Sequence, residues 1–180
     1  MLTEPAIIIV TGIQAAGKST VARLLAGRFA RGVHVEADTL QRMIVSGGEW
    51  VGEPGPPSAE AGRQLRLRLR NMCLLGKSFY DNGFSVVLDD IIIGERWDHL
   101  REDLQGYPFT LIVLAPRTGV VQHRDTHRGK PPLGAAWAEY LDGELRKTMS
   151  GAGTWIDSSN QTPDETVDAI LASCFGYRTD

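Results

Sequence analysis

The sequence predicts an α/β fold in three layers, a five-stranded parallel sheet flanked by helices. Three observations predict it. Five strand-sized apolar runs alternate with stretches of helical periodicity along the 180 residues. The runs are continuously apolar, as in strands covered on both faces, and do not alternate with polar residues. A glycine-rich turn joins the first run to the first helical stretch.

The first strand is Ala6–Val10, and the helix after the turn covers about Lys18–Arg28, with Val21, Leu24 and Leu25 on its apolar face. A second strand, Val33–Glu36, leads to a short helix, Thr39–Val45. The third helix, Ala59–Asp81, is the longest. Its Leu65, Leu69, Met72 and Gly76 recur at helical spacing, Arg63, Arg66 and Arg70 fall on a different face, read as solvated with contact to an anionic acceptor as the alternative, and Gly83 stops it. There follow the strand Phe84–Ile91, the helix Arg96–Gln105, the strand Phe109–Ala115 and the helix Ala135–Thr148. The strand Thr154–Asp157 and a helix Asp164–Cys174, started by Thr162 or Pro163, complete the pattern. Two stretches break it. Gly47–Ser58 is rich in Gly and Pro around an exposed Trp50, and Arg124–Pro132 is basic and ends in a Pro pair. Each is a candidate covering element, the first over an acceptor and the second as a lid.

Composition narrows the class. A hydrophobic share of 42% with 23% charged residues is that of an ordinary globular chain, and no repeat or composition shift divides residues 1–180, so one domain is expected. The net charge of −3, with both signs mixed, gives no electrostatic case for nucleic acid or a membrane surface as partner. No apolar run approaches the ~20 residues of a bilayer span, and Glu4 and Pro5 precede the first strand where a secretion signal would need a different pattern. A cytoplasmic location is expected. Cys73 and Cys174 are far apart and lack metal-ligand spacing, so both are expected to pack.

The turn after the first strand carries chemistry. Gly12-Ile13-Gln14-Ala15-Ala16-Gly17-Lys18-Ser19, followed by Thr20, has the spacing GxxxxGKS. Its two defining glycines let the backbone bend so that amide N–H groups point at phosphate oxygens, and the next helix adds its positive dipole end. Lys18 supplies a charge for the terminal phosphates, and the Ser19 hydroxyl is a ligand for Mg²⁺. The spacing therefore predicts a nucleoside triphosphate site with Mg²⁺ on a P-loop NTPase fold, for which ATP as the nucleotide and a kinase-type strand order 2-3-1-4-5 are the expectations.

Ligands of open parallel sheets bind at the carboxyl ends of the strands, so acids there complete the site. The third strand runs into Asp89-Asp90, a Walker B pattern. Successive strand side chains point to opposite faces, and Asp89 is assigned to magnesium and Asp90 to the acceptor side. Asp38 follows the second strand, where it could accept the proton of an attacking hydroxyl. It also heads Asp38-Thr39-Leu40-Gln41, which reads as a helix capping box. Arg124 and Arg128, four residues apart, are the expected clamp on the transferred phosphoryl group, with Arg117 a third possibility. His123 and His127 flank them and read as solvated. The polar loop Asp157–Pro163 is a candidate border of the adenine, by analogy with other phosphate-loop folds.

With these elements in this order, the sequence resembles the chloramphenicol phosphotransferase-like family of small P-loop kinases over most of its length. The resemblance places the family's phosphate loop at Gly12–Ser19, its proposed base at Asp38, its paired aspartates at the end of Val86–Asp90, and its lid arginines at Arg124 and Arg128. It implies transfer of the γ-phosphate of ATP to a hydroxyl on a small molecule, an antibiotic or nucleoside being the kinds of acceptor expected, with no nucleic acid or membrane partner. Two features depart from the family. Arg128-Gly129-Lys130-Pro131 stands where the family has Arg-Gly-Asp-Arg, and no chloramphenicol pocket is recognisable in Gly47–Ser58. The rival readings are a nucleotide-binding resistance or regulatory protein that does not phosphorylate its ligand, and a nucleoside monophosphate or metabolite kinase. Against the nucleoside monophosphate kinases, Asp90-Ile91-Ile92-Ile93-Gly94-Glu95-Arg96 lacks their Asp-Gly-Phe/Tyr-Pro-Arg run.

Overall fold

The computed structural model describes residues 3–127 and 132–176. Its strands are β1 (Ile7–Gly12), β2 (Gly32–Glu36), β3 (Ser85–Asp89), β4 (Phe109–Leu114) and β5 (Thr154–Ile156). They form one parallel sheet in the order β2-β3-β1-β4-β5, as expected. β1 is central, with Ile9 opposite Leu88 on one side and Leu111 on the other. Every residue of β1 and β3 is buried, which is why their runs are apolar without alternation.

Helices α1 (Lys18–Ala26), α2 (Ala37–Arg42), α3 (Ala59–Asp81), α4 (Glu95–Asp103), α5 (Thr118–His127), α6 (Ala135–Thr148) and α7 (Pro163–Phe175) flank the sheet. α1 packs beside α7, and α3 beside α4. Ser58 caps α3 by accepting from Ala61 N, and Gly76 lets the helix approach β3 closely. A Cβ on Gly76 would stand 3.1 Å from Leu88 Cδ1. Thr162 and Glu165 form a capping box at the start of α7, with Pro163 in its first turn. No helix among the described residues is long and apolar enough to cross a membrane.

Three local readings change. β3 ends at Asp89, two residues before the expected end, because the next groups leave the ladder: Asp90 accepts from Ile91 N, and Ile92 N donates to Thr11 Oγ1. α2 begins at Ala37 with Glu36 in the N-cap position, so Asp38 lies inside the helix and is not its cap. Its expected capping partner Gln41 instead donates to Gln64 Oε1 and the Glu49 carbonyl, tying α2 to α3 and the following loop. Helix α5 has no apolar stripe to betray it, since Val121 and Asp125 are its buried residues.

Candidate active site

The site assembles where β1, β2 and β3 end. β1 runs into the phosphate loop through Gly12, whose φ is +149° and where a Cβ would stand 2.4 Å from the Leu114 carbonyl oxygen. Only glycine fits there. Ala15 takes the left-handed conformation at φ +54°, and Gly17 does so as the N-cap of α1 at φ +98°. Ile13 and Ala16 are buried and anchor the loop, and Gln14 is buried beside them. Lys18 folds over it, with Nζ donating to the Ile13 carbonyl at 2.9 Å.

Ser19 stands between two acids. Its Oγ lies 3.3 Å from Asp89 Oδ1 and 3.3 Å from Glu36 Oε1. Asp89 Oδ2 is hydrogen-bonded to His34 Nε2 at 2.5 Å, and Glu36 Oε2 accepts from Thr39 Oγ1 at 2.9 Å. A hydroxyl and carboxylates are the hard oxygen donors that suit Mg²⁺, so the residues present fit that ion alongside the phosphates of a nucleotide.

Asp90 turns to other partners. Its Oδ1 accepts from Arg68 Nη2 at 2.7 Å and from Ile91 N at 2.8 Å, and its Oδ2 accepts from Arg96 Nη2. Burial alone would push the Asp90 carboxyl up; Arg96, Arg68 and the Ile91 hydrogen bond outweigh it and hold the carboxyl below its usual range. Arg96 Nη1 also donates to the Ile91 carbonyl at 2.6 Å. Arg68 Nη1 lies 3.5 Å from Asp38 Oδ1, and Arg42 Nη2 lies 3.9 Å from Asp38 Oδ2. Asp38 is thus half-exposed at the cleft and held between two arginines.

On the opposite flank, Arg124 reaches the loop from α5, with Nη1 3.3 Å from the Ala16 carbonyl and Nη2 3.0 Å from that of Ser158. Arg128 lies outside the described residues. Arg117 Nη2 donates to Asn160 Oδ1 at 2.8 Å, on the loop before α7 and not on the phosphate loop. Asp125, buried below Arg124, accepts from Leu133 N and Gly134 N and so ties α5 to the start of α6. The rings of His123 and His127 lie 4.3 Å apart on the exposed side of α5, and among the described residues no cluster of three His, Cys, Asp or Glu forms a metal site.

Lys18, Ser19, Asp38, Arg68, Asp89, Asp90, Arg96 and Arg124 share one cleft of about 1350 Å³, which runs from Ser158, Gln161 and Thr166 across Thr20 to Trp50 and Leu65. Trp137 and Tyr140 of α6 line it too. Typical single-ligand pockets are roughly 300–1,000 Å³, so this one has room for a nucleotide and a second molecule.

The family model for chloramphenicol phosphotransferase-like proteins matches residues 5–174. The chain belongs to that family. No curated protein matches it. Solved structures similar to it include the tunicamycin resistance protein of Deinococcus radiodurans, with a TM-score of 0.68 and 20% identity over 94% of this chain and 95% of that one. Shikimate kinase from Bacteroides thetaiotaomicron has a TM-score of 0.67 and 14% identity over 96% and 99%. A gluconokinase from Sinorhizobium meliloti 1021 has a TM-score of 0.62 and 20% identity over 96% and 92%. At these identities the likeness establishes the shared fold. Family and fold together place the chain among small P-loop kinases.

Among the residues at this site that the sequence of this chloramphenicol phosphotransferase-like chain does not single out are His34, Glu36, Arg68 and Arg96. Glu36 and Arg96 stood at the ends of expected elements, and both carried signals of position alone. Arg68 had a clearer one. It lies on the helical stripe of Ala61, Gln64, Met72 and Gly76, all buried, whereas Leu67 beside it is 50% exposed. An arginine on the inward stripe of a helix needs an internal partner.

Proposed function

We propose that the chain is an ATP-dependent O-phosphotransferase that moves the γ-phosphate of ATP to a hydroxyl of a small molecule, such as an antibiotic or nucleoside, in the cytoplasm. The observation that carries this reading is the placement of Asp38 in the same cleft as Lys18, Ser19 and Arg124. A binder needs the phosphate loop alone. A transferase also needs a proton acceptor on the far side of the transferred group.

In the proposed reaction, the loop and Lys18 hold the triphosphate, and Asp38 takes the proton of the acceptor hydroxyl as its oxygen attacks the γ-phosphorus. The bond from that phosphorus to the β–γ bridging oxygen breaks, giving ADP and a phosphate ester. Ser19 and Asp89, with Glu36 beside them, would hold Mg²⁺, which when bound neutralises charge on the phosphate oxygens. Arg124, joined by Arg128, offsets the charge that spreads over the transferred group. Asp90 serves the acceptor side through Arg68 and Arg96. Gly47–Ser58 would cover the acceptor, and Arg124–Pro132 would act as the lid.

The test is incubation with ATP and Mg²⁺ against a panel of hydroxylated antibiotics, nucleosides and sugars. Acceptor-dependent ADP release with a product heavier by one phosphoryl group supports the reading. Tight binding of a panel member with no product on any would replace it with a sequestering protein.

A further inference from the structure

The acceptor half of the cleft holds three cations, Arg42, Arg68 and Arg96, and three carboxylates, Asp38, Glu49 and Asp90. Two arginines side by side next to a candidate base would ordinarily form an anion site, because guanidinium forks match carboxylates and phosphates. Here the protein fills the fork itself. Asp90 gives one oxygen to Arg68 and the other to Arg96, and its side chain is 2% exposed, against 7% and 14% for the arginines. The remaining terminal nitrogens are engaged as well, Arg68 Nη1 towards Asp38 at 3.5 Å and Arg96 Nη1 with the Ile91 carbonyl at 2.6 Å.

Arg42, Arg68 and Arg96 set against Asp38, Glu49 and Asp90 leave no surplus positive charge in this half of the cleft. An anionic acceptor would find the forks of Arg68 and Arg96 already taken, between walls that include Trp50, Leu65 and Ile93. Its charge would lose water there without gaining a counter-ion, which is costly. We infer that Asp90 is a specificity-determining residue, an internal counter-ion that occupies Arg68 and Arg96 and restricts the acceptor to uncharged molecules. This rests on the reading of the cleft as a hydroxyl-acceptor site. It disfavours sugar acids and phosphorylated nucleosides and selects neutral alcohols.

The test uses the full chain saturated with ADP and Mg²⁺, so that the phosphate loop is filled. It is titrated calorimetrically with pairs matched except in charge, shikimate with its methyl ester and gluconate with gluconamide. In the wild type each carboxylate should bind at least about tenfold more weakly than its neutral partner, and Asp90→Asn should bring a gain of at least about tenfold for the carboxylate. Where neither member of a pair binds the wild type, the gain on Asp90→Asn decides alone. A wild type that prefers the carboxylates, or a variant with no gain, overturns the inference.

Asp90→Asn leaves two buried arginines without their counter-ion, so its melting temperature is read as well. Sodium acetate should raise it above its value in sodium chloride of equal ionic strength, while the wild type melts alike in both. Equal melting of the variant in the two salts also overturns the inference. These are binding and stability readouts, so an absence of phosphoryl transfer would sink the proposed reaction without altering them.

Discussion

Arg68 Nη2 lies 2.7 Å from Asp90 Oδ1, and both side chains are less than a tenth exposed, so α3 is joined to the end of β3 by a buried ion pair. Removing one partner of such a pair strands the other charge away from water. Arg68→Met should therefore lower the unfolding free energy by about 3–5 kcal/mol, measured by urea denaturation. Arg63→Met, on the exposed face of the same helix, should leave stability essentially unchanged.

The depressed Asp90 carboxyl fixes the sign of a pH effect. Its folded pKa is below the unfolded value of about 3.9, so its contribution is complete above roughly pH 5 and is lost as the pH falls below about 4. The stability difference between the wild type and Asp90→Asn should be flat from about pH 5 to 8 and shrink below about pH 4. A difference that stays constant into acid would mean that the ion pair contributes nothing.

Asp38 lies inside α2 and does not cap it, so its carboxylate is available at the cleft. With an acceptor found in the panel, Asp38→Asn should cut turnover at least about a hundredfold and leave ATP affinity nearly unchanged. Near-normal turnover would remove Asp38 as the base.

Lys18 reaches across the phosphate loop to the Ile13 carbonyl. Lys18→Ala should lose ATP binding as well as activity, read by titration with a fluorescent ATP analogue. Affinity retained in that variant would count against the loop as the nucleotide site.

Burial pushes the Cys73 thiol up to about 12, and its residue is fully enclosed, whereas Cys174 on α7 is partly exposed. A thiolate is the reacting form. An aromatic disulfide reagent at pH 8 should modify Cys174 in the native protein and reach Cys73 only on unfolding. Equal rates at both would place Cys73 at the surface.

The fold was legible because its signals are local. The run Ile7-Ile8-Ile9-Val10 before Gly12, the long stripe of α3 and the Thr162-Pro163 start of α7 each follow from neighbours in sequence. The phosphate loop was legible for the same reason, since its glycines shape the backbone where they stand. The charge network was not. Arg68 meets Asp90 and Arg96 only when α3, β3 and α4 have packed, and periodicity states which face an arginine takes but not what waits there. Asp38 carried two readings because a carboxylate just after a strand can cap or catalyse. A two-residue difference in where α2 begins, Ala37 in place of Thr39, is what separates them.

The strand that bears the phosphate loop is synthesised first, yet it lies between two that come much later, β3 and β4. Gly12 is seated against Leu114, at the last residue of β4. On the ribosome, the loop therefore emerges long before the residues that hold it, and closing those distant contacts is a slow step. Nucleotide affinity in a nascent chain would mark the moment at which Phe109–Leu114 docks. Fragments ending before it should stay blind to ATP even though they carry every residue of the motif.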